Sequence, residues 1–472
     1  MDATMTPDFW NLADTIYERR SPAIDPAALE HARRAWLDTL ACMVGGASEP
    51  ATQAAACSAD TAGAEHRALV LGTAAHALDY DDVCMLATCH PSAPVVSALL
   101  AGLNDAEGPT SLSELLEAHL VGTEIMLRLG AWLGFGHYAL GFHATGTLGV
   151  VGAAVAQAHM LRLPVEQMHT AVSIAASSAS GLRANFGTDT KPLHVGFAAS
   201  AALRAVALAR AGATASDDVM EGFARAFSGG AQLEPPDWNA STPWAVLAPG
   251  FEIKRFPSCY LTHRMIAGIL RLREKRLPRP GDAPVTIDVL FPHGGTAPLK
   301  HPNPHTGLQA KFSAPYCAAA AWMDGTVGLT SFNDAAVNRQ ALRPQMEQVR
   351  VSERAGPHEP LETAPLRVTI TGSGWSDSIL VDWAPGSLQD PFSDADLIAK
   401  WADCEAHGGL AAPIAKAWLT SGPADPAGAL LLPLRAKVLE RSGWSGKLAR
   451  TRERPAHDRR DPLGGLIISP SC

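Results

Sequence analysis

A chain of 472 residues is too long for one ordinary core, so two domains, or three, are expected. With 47% apolar and 18% charged residues it has ample material for large buried interiors. A formal charge of −9, with no stripe of lysine and arginine, excludes nucleic acid as the expected partner, and an acidic protein that binds a small anion must gather cations in a pocket.

The N-terminal MDATMTPDFWNLADTIYERR carries acids from position 2 and no apolar core of signal-peptide length, so a cytoplasmic rather than an exported protein is expected. The longest uncharged stretch that could span a membrane, 144–161, contains Thr145, Thr147, Gln157, His159 and three glycines. That suits a helix buried in protein, and no membrane partner is expected. Eight cysteines, scattered singly apart from Cys84 and Cys89, read as reduced thiols.

The first half is alanine-rich and reads as helix after helix. Ser111-Leu112-Ser113-Glu114 has capping-box spacing before the helical pattern LLEAHLVGTEIMLRLGAWLG. GFHATGTLG (141–149) reads as a loop opening onto VVGAAVAQAHMLRL, which stops at Pro164, and PVEQMHTAVSIAASSASG gives another helix ending near Gly181. A second polar loop, FGTDTKPLH, opens onto VGFAASAALRAVALARAG, with Pro192 where a first turn tolerates it and Gly212 as a stop. Small residues on so many helices predict close backbone approach in a large bundle.

After about Phe256 the period changes. APVTIDVLF, MEQVRVSER, PLRVTITG and SILVDWAPG alternate apolar and polar residues and read as strands, with a helix over GLQAKFSAPYCAAAAWMDG among them. From FSDADLIAKWADCEAHGG the chain is helical again and rejoins the first bundle, and the residues from LARTRERPAHDRRDP onward read as a loose tail. The fold class expected is mainly α: a large all-helical bundle domain from 1–256 and 392–450, a smaller inserted α+β lid domain at 257–391, and a tail at 451–472.

Four segments combine histidine, lysine or aspartate with glycine, proline or threonine beyond what helix packing requires. They are HALDYDDV (76–83) with CHPS (89–92), GFHATGTLG (141–149), GLRANFGTDTKPLH (181–194) and KRFPSCYLTHR (254–264). Two of them feed helix N-termini, where free amides and the dipole favour carboxylates and where Lys191 or Arg183 would add full charge. A lysine at a helix start opposes the dipole unless an anion lies between them.

Each residue has a plainer reading when taken alone. His90, His143 and His263 would then be packing or turn residues, Lys191 a solvated lysine, Asp79, Asp81 and Asp82 a capping cluster, and Tyr316 core. No metal site is expected. Cys84, Cys89 and His90 lack a fourth ligand, His293, His301 and His305 sit in a glycine- and proline-rich loop, and the DYDD run has no phosphate-cradling partner.

Together, in this order over about residues 70 to 320, the four segments resemble the MmgE/PrpD family of 2-methylcitrate dehydratases, cis-aconitate decarboxylases and iminodisuccinate epimerase-like proteins. The helix GLQAKFSAPYCAAAAWMDG is similar to the family's counterpart in its smaller domain. The resemblance implies a homodimer with no metal or organic cofactor, and an active site between a helical domain and an α+β lid. By motif it implies the catalytic residues Asp79, His90, His143, Lys191, His263 and Tyr316; the residues expected to hold the substrate are Lys191, Arg183 and Thr145. The family's aspartate motif commonly ends in a threonine, and Val83 departs from it.

These residue types fit the chemistry of that family. Dehydrating a hydroxy-polycarboxylate needs a base near neutral pKa, an acid for the departing hydroxyl and cations on the carboxylates. Decarboxylation and epimerisation pass through a similar carbanion. The function expected is therefore a cofactor-independent lyase acting on a citrate- or aconitate-like polycarboxylate. One alternative is an epimerase of an aspartate-derived dicarboxylate, since GHYALGFHATGTLG and ASGLRANFGT are also similar to that branch. Another is a non-catalytic carboxylate binder, with Val83 as its support.

Overall fold

The computed structural model describes residues 9–19, 24–59, 63–103, 110–231, 233, 243–278, 283–356, 361 and 364–444. The tail expected at 451–472 lies outside them. Ten helices come first: α1 (Phe9–Tyr17), α2 (Pro26–Gly46), α3 (Pro50–Cys57), α4 (Ala64–Ala77), α5 (Ser92–Gly102), α6 (Leu112–Ala139), α7 (Ala144–Met160), α8 (Val165–Ala176), α9 (Thr190–Arg210) and α10 (Val219–Phe227). The expected capping box forms at the start of α6: Ser111 Oγ accepts from Glu114 N, and the Glu114 carboxylate accepts from Ser111 N.

The small residues do what their abundance suggested. A Cβ on Gly72 of α4 would stand 2.8 Å from Gly196 Cα of α9, and one on Gly196 would stand 2.4 Å from Leu69 O. The two backbones therefore lie in direct contact. The loop expected over 141–149 is largely helix, because α7 begins at Ala144 with His143 as its N-cap. Its glycines serve close packing: a Cβ on Gly146 would meet Ser180 O at 2.6 Å and one on Gly149 would meet Pro94 at 2.6 Å.

Helix α11 (His263–Lys275) is followed by β1 (Thr286–Phe291), α12 (Gly307–Ala310), α13 (Ala314–Asp324), α14 (Asp334–Val337), α15 (Arg343–Met346), β2 (Val349–Glu353), β3 (Leu366–Gly372) and β4 (Trp375–Val381). The strands form one mixed sheet in the order β2-β1-β3-β4, with β1 and β2 parallel and the other pairs antiparallel. Ile287, Val289 and Phe291 of β1 and Leu366, Val368 and Ile370 of β3 turn inward onto α11 and α13, as their alternation predicted. The helix expected over GLQAKFSAPYCAAAAWMDG is broken at 311–313. Ser313 caps a new helix by accepting from Tyr316 N at 3.2 Å, and Pro315 suits only its first turn.

The chain then returns as α16 (Asp394–Gly408), α17 (Ala415–Thr420) and α18 (Gly428–Arg441), with α16 against α2. One apolar cluster draws on residues 9–253 and 392–439, a second on 256–370. A third, smaller cluster joins them: Val83, Met85, Phe186, Cys259, Tyr260, Leu261, Phe312, Leu361 and Ala384. Among the described residues one helix, α9, is long and apolar enough to cross a membrane, and 61% of its apolar window is buried against its neighbours in the bundle.

Candidate active site

The joining cluster borders a cavity of about 50 Å³ lined by Asp79, Val83, His90, His143, Thr145 and Lys191, with Met85, Tyr138, Phe186, Lys254, Tyr260 and Phe312 among its other walls. The site is built on the turn after α4. Asp79 has φ +52, a left-handed conformation that aspartate tolerates better than most residues, and its amide donates to His76 O at 3.2 Å. This turn sends the three aspartates of DYDD to three different partners.

Asp79 reaches two lysines. Lys191 Nζ lies 2.7 Å and Lys254 Nζ 3.2 Å from the same Oδ1, and Lys254 also donates to Asp79 O at 2.9 Å. Asp81 binds two histidines through Oδ2: His76 Nδ1 at 2.8 Å and His90 Nδ1 at 3.2 Å. Asp82 accepts from Ser92 N at 3.2 Å and pairs with Ser92 Oγ, which lies 3.0 Å from His119 Nε2. Asp82 therefore caps the start of α5, and only that member of the trio fits the capping reading.

Electrostatics separates these groups. Burial would raise Asp79, but the ammonium groups of Lys191 and Lys254 outweigh it and hold the carboxyl well below its usual range. Burial likewise opposes ionisation of Asp81, and His76 and His90 overcome it. Asp82 has no cation and is pushed well up by burial. The histidines are driven toward the neutral form chiefly by burial: His76 to about 3, His143 well down with Lys191 adding to the effect, and His90 down despite Asp81. Near neutral pH the cavity thus presents two lysines sharing the Asp79 carboxylate, beside uncharged imidazoles.

His90 N donates to Thr145 Oγ1 at 3.1 Å, which ties the CHPS turn to the first turn of α7. His143 stacks on His76 with ring centroids 5.4 Å apart, and its Nδ1 lies 3.0 Å from His194 Nδ1. Asp79 Oδ2 and His143 Nε2 have no hydrogen-bond partner within the described residues. Both belong to residues that line the cavity.

Five of the residues singled out in the sequence therefore meet in one place: Asp79, His90, His143, Thr145 and Lys191. Three do not line it. His263 is fully buried behind the wall, packed against the Phe256 and Tyr260 rings at 5.2 Å each, with Nε2 3.4 Å from Ser258 O. Tyr316 lies in the core of the second cluster, where its hydroxyl donates to Ser331 O. Arg183 stacks its guanidinium 4.2 Å from the centroid of the Tyr138 ring and donates to Ala139 O at 3.3 Å. Residues the sequence reading missed are His76, Asp81, Lys254 and His194. All four stand inside the quoted segments, but spacing alone does not say which members of a segment turn inward.

Residues 11–236 match the MmgE/PrpD N-terminal domain and residues 256–411 the MmgE/PrpD C-terminal domain. The chain belongs to the MmgE/PrpD family. It is similar to cis-aconitate decarboxylase of Mus musculus, 28% identical over 71% of this chain and 70% of that protein. It is similar as well to the Homo sapiens cis-aconitate decarboxylase, 31% identical over 61% of each chain. A cis-aconitate decarboxylase-like protein of Aspergillus oryzae is 23% identical over 83% of this chain and 89% of its own length.

For this MmgE/PrpD protein, the group with metal-ligand character among the described residues is His76, Asp81 and His90, whose ligand atoms lie within 4.8 Å of one another. Both Nδ1 atoms are already engaged with Asp81 Oδ2, and the Lys191 ammonium stands 2.7 Å from His76 Nε2. The donor set as found is a hydrogen-bonded one. The Cys84 and Cys89 thiols are buried and pushed up by that burial, and their backbones pair across an isolated bridge.

Proposed function

We propose that this protein is a lyase that releases carbon dioxide from an aconitate-like unsaturated tricarboxylate without a bound cofactor. The observation that carries the reading is the sharing of one carboxylate oxygen of Asp79 by two ammonium groups, Lys191 and Lys254, in a cavity whose histidines are uncharged. A polyanion entering an acidic protein finds its compensating charge there. The names of the similar proteins from mouse and human support the same substrate class.

In the proposed reaction the bond from the methylene carbon to its carboxylate breaks. The electron pair forms a new double bond to the central carbon, and the old double bond shifts its pair onto the far carbon. Lys191 and Lys254 stabilise the carboxylate next to that carbon as charge builds on it. The apolar walls, including Val83, Met85, Phe186 and Phe312, leave the departing carboxylate poorly solvated, which favours its loss as a neutral gas. The far carbon then needs a proton. An incoming polyanion raises the proton affinity of a nearby imidazole, so His90 takes up a proton with the substrate and delivers it from Nε2.

The same imidazole, in its neutral form, would abstract a proton in a dehydratase or an epimerase, so the reaction type is decided by products. Incubation with cis-aconitate, 2-methylcitrate, citrate and iminodisuccinate in deuterated water, followed by NMR, tests the reading. Carbon dioxide with one deuteron in the product supports it. Loss of water, bare exchange, or no reaction with any of the four acids would overturn it. We further propose a homodimer; Phe197 and Leu208, exposed about three turns apart on α9, give such an interface apolar side chains.

A further inference from the structure

His76 does not line the cavity, and its side chain is fully buried, yet both of its ring nitrogens are engaged by groups that belong to the site. Nε2 lies 2.7 Å from Lys191 Nζ, and Nδ1 lies 2.8 Å from Asp81 Oδ2. The tautomer follows from these partners. An ammonium group has donors only, so His76 Nε2 accepts from Lys191. The ring proton of the neutral imidazole then sits on Nδ1 and is donated to Asp81.

The consequence passes to His90. Its Nδ1 faces two acceptors, Asp81 Oδ2 at 3.2 Å and Asp81 O at 3.3 Å, so that nitrogen carries the proton. His90 Nε2 is left bare, 3.8 Å from Asp79 Oδ1, on a residue that lines the cavity. Four side chains from α4, the turn after it, the CHPS turn and the first turn of α9 thus form one chain, Lys191 to His76 to Asp81, with His90 donating into the same carboxylate.

We infer that His76 is the positioning residue of this site: it holds the Lys191 ammonium with one nitrogen and the Asp81 carboxylate with the other, and through Asp81 it fixes which nitrogen of His90 faces the substrate. This rests on the proposed role of His90 in proton transfer. The groups facing His76 are Asp81 from its own turn, Lys191 from α9, His90 beside α5, and His143 stacked on it from the start of α7. Burial keeps the ring neutral, down to about 3, so His76 stays in this tautomer across the working range.

Two replacements separate its two bonds, because an asparagine amide replaces Nδ1 and a glutamine amide replaces Nε2. His76→Asn keeps a donor for Asp81 and loses the acceptor for Lys191. It should raise KM, and the Kd for the inert analogue propane-1,2,3-tricarboxylate, roughly tenfold while kcat changes little. His76→Gln keeps an acceptor for Lys191 and loses the hold on Asp81. It should lower kcat on the order of a hundredfold and shift the pH profile, with analogue binding nearly intact. Equal effects of the two variants on KM, kcat and Kd, or wild-type kinetics in whatever fraction folds, would overturn the inference. If the wild type turns over none of the acids, the proposed function fails, while the Kd difference between the variants still tests the inference.

Discussion

Lys191 Nζ and Asp79 Oδ1 lie 2.7 Å apart, joining the first turn of α9 to a left-handed residue after α4. The placement resolves an oddity in the sequence, a lysine at the positive end of a helix dipole. The anion that offsets this lysine is the protein's own Asp79 carboxylate, held ready to share its cation with a ligand.

Breaking a buried ion pair by removing one partner costs about 3–5 kcal/mol. Here Lys254 remains on the same oxygen at 3.2 Å, so Lys191→Met should cost about 2–3 kcal/mol, at or below the lower end of that range. Urea unfolding measures this. The same variant should raise the Kd for propane-1,2,3-tricarboxylate, and unchanged binding would remove Lys191 from the substrate contacts.

The buried histidines set the response to acid. Burial takes His76 and His119 down to about 3 and His194 to about 4, from 6.5 for a free imidazole. Above pH 6.5 neither folded nor unfolded chain protonates them, and their contribution is fully present. Below it the unfolded chain binds protons and the folded one does not, so stability falls by about 1.4 kcal/mol per pH unit for each histidine. Asp79 acts lower on the scale: its depressed carboxyl adds stability above about pH 4 that is lost as pH falls further. Unfolding free energies from urea titrations at pH 7.5 and 5.5 should therefore differ by about 4 kcal/mol from these three histidines alone, and a flat profile would contradict the assignment.

Helices α4 and α9 carry His76 and Lys191, and they touch through Gly72 and Gly196. Gly196→Ala places a methyl against Leu69 O, which cannot give way without moving α4. The expected cost is about 1–3 kcal/mol, with weaker binding of the analogue because the Lys191–His76 contact is spread. Wild-type stability and affinity in this variant would show that the two backbones tolerate separation.

Tyr316 distinguishes geometry from resemblance. Its hydroxyl serves Ser331 O inside the second core, so Tyr316→Phe should lower stability by about 1 kcal/mol and leave kcat within about twofold. A large loss of kcat with stability unchanged would place the phenol at the reacting atoms instead.

Much of this arrangement was legible in the sequence, for identifiable reasons. The strands of the sheet show a period of two because each buries one face, and the Ser111–Glu114 cap is a local signal. Asp79, His90, His143 and Lys191 stand out because they lie in polar segments between or at the starts of alanine-rich helices. The glycines of GFHATGTLG misled, since a glycine placed for close packing inside α7 looks the same in sequence as one placed for a loop. His76 was hidden because a histidine in the last turn of a helix is an ordinary end-of-helix residue; its tie to the site comes through Lys191 of α9, more than a hundred residues on, as well as through the neighbouring Asp81. The direction in which His263 and Arg183 turn is likewise decided by tertiary neighbours, the Phe256, Tyr260 and Tyr138 rings.

Decarboxylation by this chain is read from carbon dioxide released from carboxyl-labelled cis-aconitate by the full chain after treatment with a chelator, beside its His90→Asn variant. The expected result is labelled gas in step with product, persisting after chelation and reduced at least a hundredfold in the variant. No release by the wild type, release that disappears with chelation, or release undiminished by the loss of His90 Nε2 would rule out a metal-independent decarboxylase that protonates from His90.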